Sequence, residues 1–372
     1  MPRYLLLLVL LSILIIKASA QSPVKRILLE EFSTAPCGFC PDGDVIAERL
    51  IKDHPSVIWM THHAGFGTDS MTVAESKLIA GAFTTFAPGA CIDRGDHPIP
   101  VYTIPPYIAV SRQKWDSVCV AHLGDAPVAD VKIVNAFNAV SRTLDCTVEA
   151  TFVSTLPAGD IRVNIFLVED SVVGYGKGFD QLNYMNGTPG HPYYKKGDTI
   201  VGYVHKRVLR SVPTTTWGIS GIIPSSPELN KTYSYSRKDI PISTRWKENA
   251  LDVIAFLSYY NTDAKQRAVI NANQRRMLGE VSAVRNVEAA GTVVLISPNP
   301  VRDDVTIRYQ SKQHGRHTLI ITDALGKTVR SFSLDEASGV LSFSMNDAPN
   351  GIYFWKLVGE KEVQVGKLIV TR

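Results

Sequence analysis

The chain has 372 residues, 45% of them hydrophobic and 20% charged, a balance that excludes a disordered or low-complexity protein and leaves room for two or three folded domains. Its 39 basic and 35 acidic residues give a formal charge of +4, and setting aside Arg3 and Lys17 of the leader leaves about +2 on the remainder. So small an excess gives no electrostatic reason for a nucleic-acid partner, and beyond the leader no stretch offers the eighteen or so unbroken apolar residues of a membrane-spanning helix.

Residues 1–20 read as a cleavable signal peptide. Arg3 supplies the positive start, Tyr4 to Ile16 is apolar but for Ser12, and Ala18-Ser19-Ala20 offers the small residues that signal peptidase requires. Its apolar part would make only about 20 Å of helix against a hydrocarbon core of about 30 Å, too short to anchor the chain. Export permits stable disulfides, and five cysteines leave at least one unpaired.

From residue 21 to about 126 strand and helix alternate, the grammar of an α/β unit. Strands are expected over Arg26 to Phe32, Val57 to Thr61 and Ala90 to Asp93, and helices over Asp44 to Lys52, Thr72 to Phe83 and Ile108 to Cys119. From 127 to 284 the pattern turns to period-two alternation, as in Thr147 to Phe152 and Ile161 to Val168, with later strand candidates at Thr232 to Tyr235 and Leu251 to Tyr259. This is the mark of a β-sandwich, with one short helix expected over Asn271 to Met277. Gly174 to Gly202, rich in Gly, Tyr, Asn and Pro, reads as a long irregular loop on that sandwich, suited either to recognition or to plain connection. A linker over 285–292 leads to a third unit over 293–372. There Pro298-Asn299-Pro300, Asp323-Ala324-Leu325-Gly326 and Asn350-Gly351 punctuate short strands, as in a small antiparallel sandwich.

The motif with evident chemistry is Cys37-Gly38-Phe39-Cys40. Two intervening residues let the first turn of a helix bring the sulfurs within bonding distance while backbone N–H groups stabilise a thiolate, which makes Cys37 the expected exposed nucleophile. The same spacing also supplies half of a zinc site or a plain structural disulfide. His62 and His63 close the second strand on the edge expected to hold the cysteines, where an imidazole could tune the thiolate or join it on a metal, although adjacent histidines depart from zinc-finger spacing. Cys146 falls on the core face of a strand and Cys119 between two valines, the places of inert thiols, with a Cys91–Cys119 disulfide as an alternative.

A dithiol at a strand-to-helix junction resembles the thioredoxin fold. That resemblance implies that Glu31, six residues before Cys37, is the buried acid moving protons for the resolving thiol Cys40. It also implies that Pro88 is the cis-proline opposite the dithiol, with Ala87 presenting its backbone to a bound peptide. Phe39 replaces the proline usual between the cysteines, which leaves the redox potential open, and Pro41 is acceptable in a first helical turn.

The run Glu30 to Pro41, with later landmarks His205 to Arg210, Trp246, Asn249 to Leu257 and Val269 to Ala272, resembles the outer-membrane protein family of twenty-eight kilodaltons from the Bacteroidetes over residues 24 to 283. Its members are exported, surface-associated proteins of mostly undefined activity, described as candidate adhesins. Pro298-Asn299-Pro300, Asp323 with Gly326-Lys327, Gly351-Ile352-Tyr353 and Gly366 to Val370 resemble the type A sorting domain of type IX secretion, which implies that machinery as a partner and delivery to the cell surface or the medium.

Two functions compete. One is an extracytoplasmic thiol–disulfide oxidoreductase using Cys37, Cys40, Glu31 and Pro88, with a protein disulfide as substrate and no cofactor. The other is a non-enzymatic surface binding protein or adhesin in which Cys37–Cys40 is a permanent staple and sandwich loops contact a host or surface ligand.

Overall fold

The computed structural model describes residues 23–278, 293–297, 299–310, 316–336, 338–359 and 363–371. The expected signal peptide over 1–20 and the expected linker over 285–292 lie outside the described residues.

Strand β1 (Ile27–Ser33) is buried at every residue, and so is β2 (Val57–His63). A strand buried on both faces needs cover on both sides, and the helices supply part of it. After β1 the chain turns into α1 (Cys40–Asp53), returns as β2 parallel to β1, and passes through α2 (Ala74–Phe83) to β3 (Gly89–Ile92), which lies antiparallel to β1. The short β4 (Val110–Ser111) pairs with β3 before α3 (Trp115–His122). The helix expected from Ile108 therefore begins only at Trp115. Ile108, Ala109 and Val110 run into β4 instead, because their apolar side chains are already buried in extended form against α2 and β3.

Strands β5 (Ala129–Asn138), β6 (Thr143–Phe152) and β7 (Asp160–Glu169) follow, then the two-residue strands β8 (Val172–Val173), β9 (Gln181–Leu182), β10 (Thr199–Ile200) and β11 (Val204–His205). The chain then forms β12 (Val208–Ser211), β13 (Thr232–Pro241), β14 (Leu251–Tyr260) and β15 (Val269–Arg276). One eight-stranded sheet has the order β15-β14-β7-β12-β2-β1-β3-β4, and a three-stranded sheet has the order β13-β6-β5. Strands from both sides of residue 127 thus share a sheet. The joint is β12, which pairs parallel with β2 and antiparallel with β7.

Alternation along the strands assigns each residue to a layer. Ile27, Leu29 and Trp59 pack with Ala47 and Leu50 of α1 and Trp115 and Cys119 of α3. Leu28, Phe32, Ile58 and Met60 face α2, in one core with Phe166, Val168, Ile254 and Phe256. The neighbours Ile165, Leu167, Val253 and Ala255 point the other way, against Val131, Ile133, Val148 and Ala150 of the three-stranded sheet, and this is the sandwich core.

The expected helix over Asn271 to Met277 is instead the strand β15. Its alternate side chains Asn271, Asn273 and Arg275 donate to the backbone oxygens of Ala129 (2.6 Å), Val131 (2.6 Å) and Ile133 (3.2 Å) on β5, binding the edges of the two sheets together. Such a side-chain ladder requires period two, which a helix does not provide. Asn271 also accepts from Arg26 N–H and donates to Val24, and it is fully buried. It also accepts from Ala272 N–H, so Asn271→Ala removes the side-chain partner of four backbone groups, and a loss of about 2–3 kcal/mol is expected in urea denaturation.

The C-terminal unit holds β16 (Val293–Ser297), β17 (Asp304–Gln310), β18 (His317–Asp323), β19 (Thr328–Leu334), β20 (Ser338–Ser344), β21 (Gly351–Val358) and β22 (Val363–Val370). Two antiparallel sheets, β16-β17-β20 and β19-β18-β21-β22, enclose a core that includes Val305, Ile307, Leu319, Ile321, Trp355 and Leu368. The molecule is β-rich throughout.

Candidate functional site

Because α1 starts at Cys40, with Pro41 in its first turn, the Cys37 to Cys40 segment is the tight bend between β1 and that helix. Cys37 and Cys40 form a disulfide with their Cα atoms 5.4 Å apart. Backbone bonds fix the bend, with Cys37 N–H donating to Thr34 and Cys40 N–H to Cys37. From behind, Asp69 accepts from Ala35 N–H at 2.8 Å and is held by His63 Nδ1 at 2.6 Å.

Glu31 and Pro88 come together below this bend. The Ala87–Pro88 peptide is cis and leads into β3. A Cβ placed on Gly43 of α1 would lie 2.7 Å from Glu31 Oε1, 3.0 Å from Pro88 Cβ and 3.3 Å from the Trp115 ring, so helix, acid and proline meet where Gly43 lacks a side chain. Glu31 is fully buried. Its Oε2 accepts from Trp59 Nε1 at 2.8 Å, whereas its Oε1 has no partner. Burial, reinforced by the nearby Asp44 carboxylate, pushes the Glu31 carboxyl well above the ordinary range.

Asp44 was not singled out from the sequence. It sits four residues after Cys40, on the same helical face, and accepts 2.6 Å from the buried Tyr203 hydroxyl, while burial raises its carboxyl to about 7. The four-residue spacing was a usable signal; Tyr203, from a distant loop, had none.

Cys37 is not the exposed thiol that the motif suggests, for it is only 3% exposed. The loop expected to decorate the sandwich lies over the dithiol instead. Gln181 Nε2 donates to Cys37 O at 2.8 Å, Leu182 N–H to Ala35 O at 2.9 Å and Tyr184 N–H to Gly38 O at 2.8 Å. Phe39 meets the Tyr184 ring edge-on at 5.1 Å and carries the Arg112 guanidinium 4.9 Å from its ring centre.

The two histidines face apart, as adjacent strand residues must. His62 is bonded to Glu30 (3.1 Å) and stacks on Phe32, whereas His63 meets Asp69 and the ring of His205. Neither reaches a sulfur, and among the described residues no three His, Cys, Asp or Glu side chains cluster as metal ligands would. Cys91, Cys119 and Cys146 are free and buried, so the alternative Cys91–Cys119 disulfide is not formed. Burial lifts each thiol above its ordinary range, Cys146 to about 12, which keeps them protonated and inert.

Residues 295–371 match the family model of the secretion system C-terminal sorting domain, which takes in the Pro298–Pro300, Asp323–Lys327, Gly351–Tyr353 and Gly366–Val370 landmarks. No curated protein sequence matches the chain. Among solved structures, HBP35 of Porphyromonas gingivalis is similar at 15% identity over 94% of this chain and 99% of that one, with a TM-score of 0.51, a likeness of fold alone. A domain of the outer membrane lipoprotein Omp28 from Porphyromonas gingivalis aligns at 14% identity over 40% of this chain and 88% of that one, with a TM-score of 0.22. Dimeric latent PorU from the same organism aligns at 14% identity over 65% of this chain and 20% of that one, with a TM-score of 0.19.

The sorting domain marks the chain as cargo of the type IX secretion machinery, exported to the cell surface or the medium as in the Bacteroidetes. Among the described residues no helix is long and apolar enough to cross a membrane.

Proposed function

We propose that this chain is an exported thiol–disulfide oxidoreductase in which a thioredoxin-like unit over residues 21–126 carries the Cys37–Cys40 couple. The observation that carries the reading is the buried Glu31 carboxyl with a free oxygen, beside cis-Pro88, at the start of the helix that bears Cys40. Burying a carboxyl with half its bonding capacity unused costs stability, and a structural staple has no use for one. The strand order β2-β1-β3-β4, with β1 and β2 parallel and β3 antiparallel, further supports a thioredoxin-like unit. The run Glu30 to Pro41 likewise supports a place for residues 24–283 beside the outer-membrane family of twenty-eight kilodaltons.

The exchange is a two-electron transfer. A substrate thiolate attacks Cys37 Sγ, the Cys37–Cys40 bond breaks, and Cys40 leaves as a thiolate that takes the proton held on Glu31. The second substrate thiolate then attacks the substrate sulfur of the mixed disulfide and expels Cys37, so the substrate dithiol is oxidised and the protein couple reduced. In the reverse direction Cys37 attacks a substrate disulfide, and Glu31 receives the proton from Cys40 as Cys40 resolves the intermediate.

A second reading, a surface binding protein in which the disulfide is a staple, is favoured by the burial of Cys37. The equilibrium reduction potential of the couple in the full chain, read by alkylation and mass spectrometry in glutathione buffers, separates the two. A value between about −270 and −120 mV is expected, whereas a couple below about −300 mV is a staple. Cys37→Ser should abolish disulfide exchange in the first case and only weaken folding in the second.

A further inference from the structure

We propose that residues 174–203 are a self-docked strap that determines which thiols reach Cys37. Exchange with a protein partner then requires residues 181–184 to be displaced from the bend by a segment of that partner. The inference deepens the redox reading and rests on it for its purpose; the packing stands without it.

The strap holds the active bend through its main chain at two points. Leu182 donates its N–H to Ala35 O, and Tyr184, at the start of a short 3-10 turn, donates its N–H to Gly38 O. Gln181 is 1% exposed, and its carboxamide donates to Cys37 O at 2.8 Å and within its own strap to Leu182 O at 3.1 Å, with Thr34 O 3.4 Å away. A connecting loop needs none of these bonds, because exposed carbonyls at 35, 37 and 38 would be satisfied by water. The Tyr184 ring lies on Gly38 so closely that a Cβ there would fall 2.5 Å from its Cγ and Cδ1 atoms. Glycine at 38 is thus the condition for this ring to seat.

The strap is fastened beyond the bend as well. Ser70 N–H donates to Gly178 O, His205 Nε2 lies 2.7 Å from Phe179 O, and Tyr203 closes on Asp44 of α1. With these contacts made, Cys37 is 3% exposed and Ala35, Gly38 and Cys40 are buried with it, while Phe39 stays 43% exposed at the edge of the bend. Attack on a disulfide sulfur needs an in-line approach and an accessible target. The strap withholds both from a bulky partner.

The test uses the full-length protein and its Gln181→Ala, Tyr184→Ala and Tyr184→Phe variants. The reagents are tris(2-carboxyethyl)phosphine as the small reductant and reduced, unfolded ribonuclease as the polypeptide dithiol. Gln181→Ala should speed reduction of Cys37–Cys40 by the polypeptide about tenfold, the equivalent of one lost buried hydrogen bond. Tyr184→Ala, which removes the ring packed on Gly38 and Phe39, should speed it in the same direction, and both should change reduction by the phosphine much less. Tyr184→Phe, which keeps ring and backbone, should react as the wild type. Amide exchange at Leu182 and Tyr184 should be slow in the wild type and fast in the two alanine variants, whose unfolding midpoints show that the rest of the chain is intact. Equal polypeptide rates in all four proteins would overturn the strap. A potential below the oxidoreductase range together with faster reduction in the alanine variants would sink the redox reading and leave the strap standing. A potential within that range together with unchanged rates would do the reverse.

Discussion

Arg94→Met should cost about 3–5 kcal/mol at neutral pH, a large share of a domain's stability. Arg94 is 1% exposed, and its guanidinium makes two bonds to Glu30, at 2.6 and 2.8 Å, while lying 4.9 to 5.7 Å from the ring centres of Phe256, Phe83 and Trp217. Glu30 is wholly buried in β1. Burial alone would push its carboxyl up, but the Arg94 charge and the bonds from His62 and Arg94 outweigh it and bring it down to about 2. Methionine keeps much of the volume and removes the charge, leaving a buried carboxylate with only His62 beside it. Adding Glu30→Gln to Arg94→Met should restore most of the loss, because a buried pair gains little over neutral replacements while a broken pair is expensive.

The same pair sets an acid limit. Between about pH 4.5 and 2 the unfolded chain takes up a proton at Glu30 that the folded chain refuses, so this contribution to stability is full above about 4.5 and disappears as pH falls through 2. Urea midpoints measured across that range should fall steeply in the wild type and less so in the double variant. A wild-type midpoint that stays flat would remove Glu30 as the cause.

Glu31→Gln should slow disulfide exchange about a hundredfold at neutral pH while making the fold more stable there. General acid–base catalysis contributes on the order of a hundredfold or more, and glutamine cannot hand a proton to the departing Cys40. The stability change has the opposite sign to that at Glu30. The folded Glu31 keeps its proton where the unfolded carboxyl has released it, so the wild type loses stability as pH rises above about 4.5, and the uncharged variant does not. The two proteins should therefore match near pH 4 and diverge toward pH 8 with the variant ahead. A variant that exchanges at the wild-type rate would make Glu31 a structural residue and remove it from the proton path. Burial pushes both neighbouring carboxyls of this strand upward, and they diverge because Arg94 and His62 overcome it at Glu30 while Asp44 reinforces it at Glu31.

Much of this was legible from residue order. Uninterrupted apolar runs gave β1 and β2, period two gave β6 and β7, and the turn signals between 298 and 351 gave the C-terminal antiparallel sandwich, because each is a local pattern that dictates its own geometry, while the sorting role came from the resemblance of its landmarks. The dithiol and the elements flanking it were also local. What local pattern could not give were the facts that depend on distant segments. Asn271, Asn273 and Arg275 look like surface of a helix until β5 is placed opposite them, and the strands on either side of residue 127 look like separate units until β12 is inserted between β2 and β7. The accessibility of Cys37 was likewise decided from far along the chain. Its four-residue motif sets the chemistry, but Gln181 and Tyr184, nearly 150 residues later, set whether a partner can reach it, because burial is a property of the assembled surface and not of the residue that is buried.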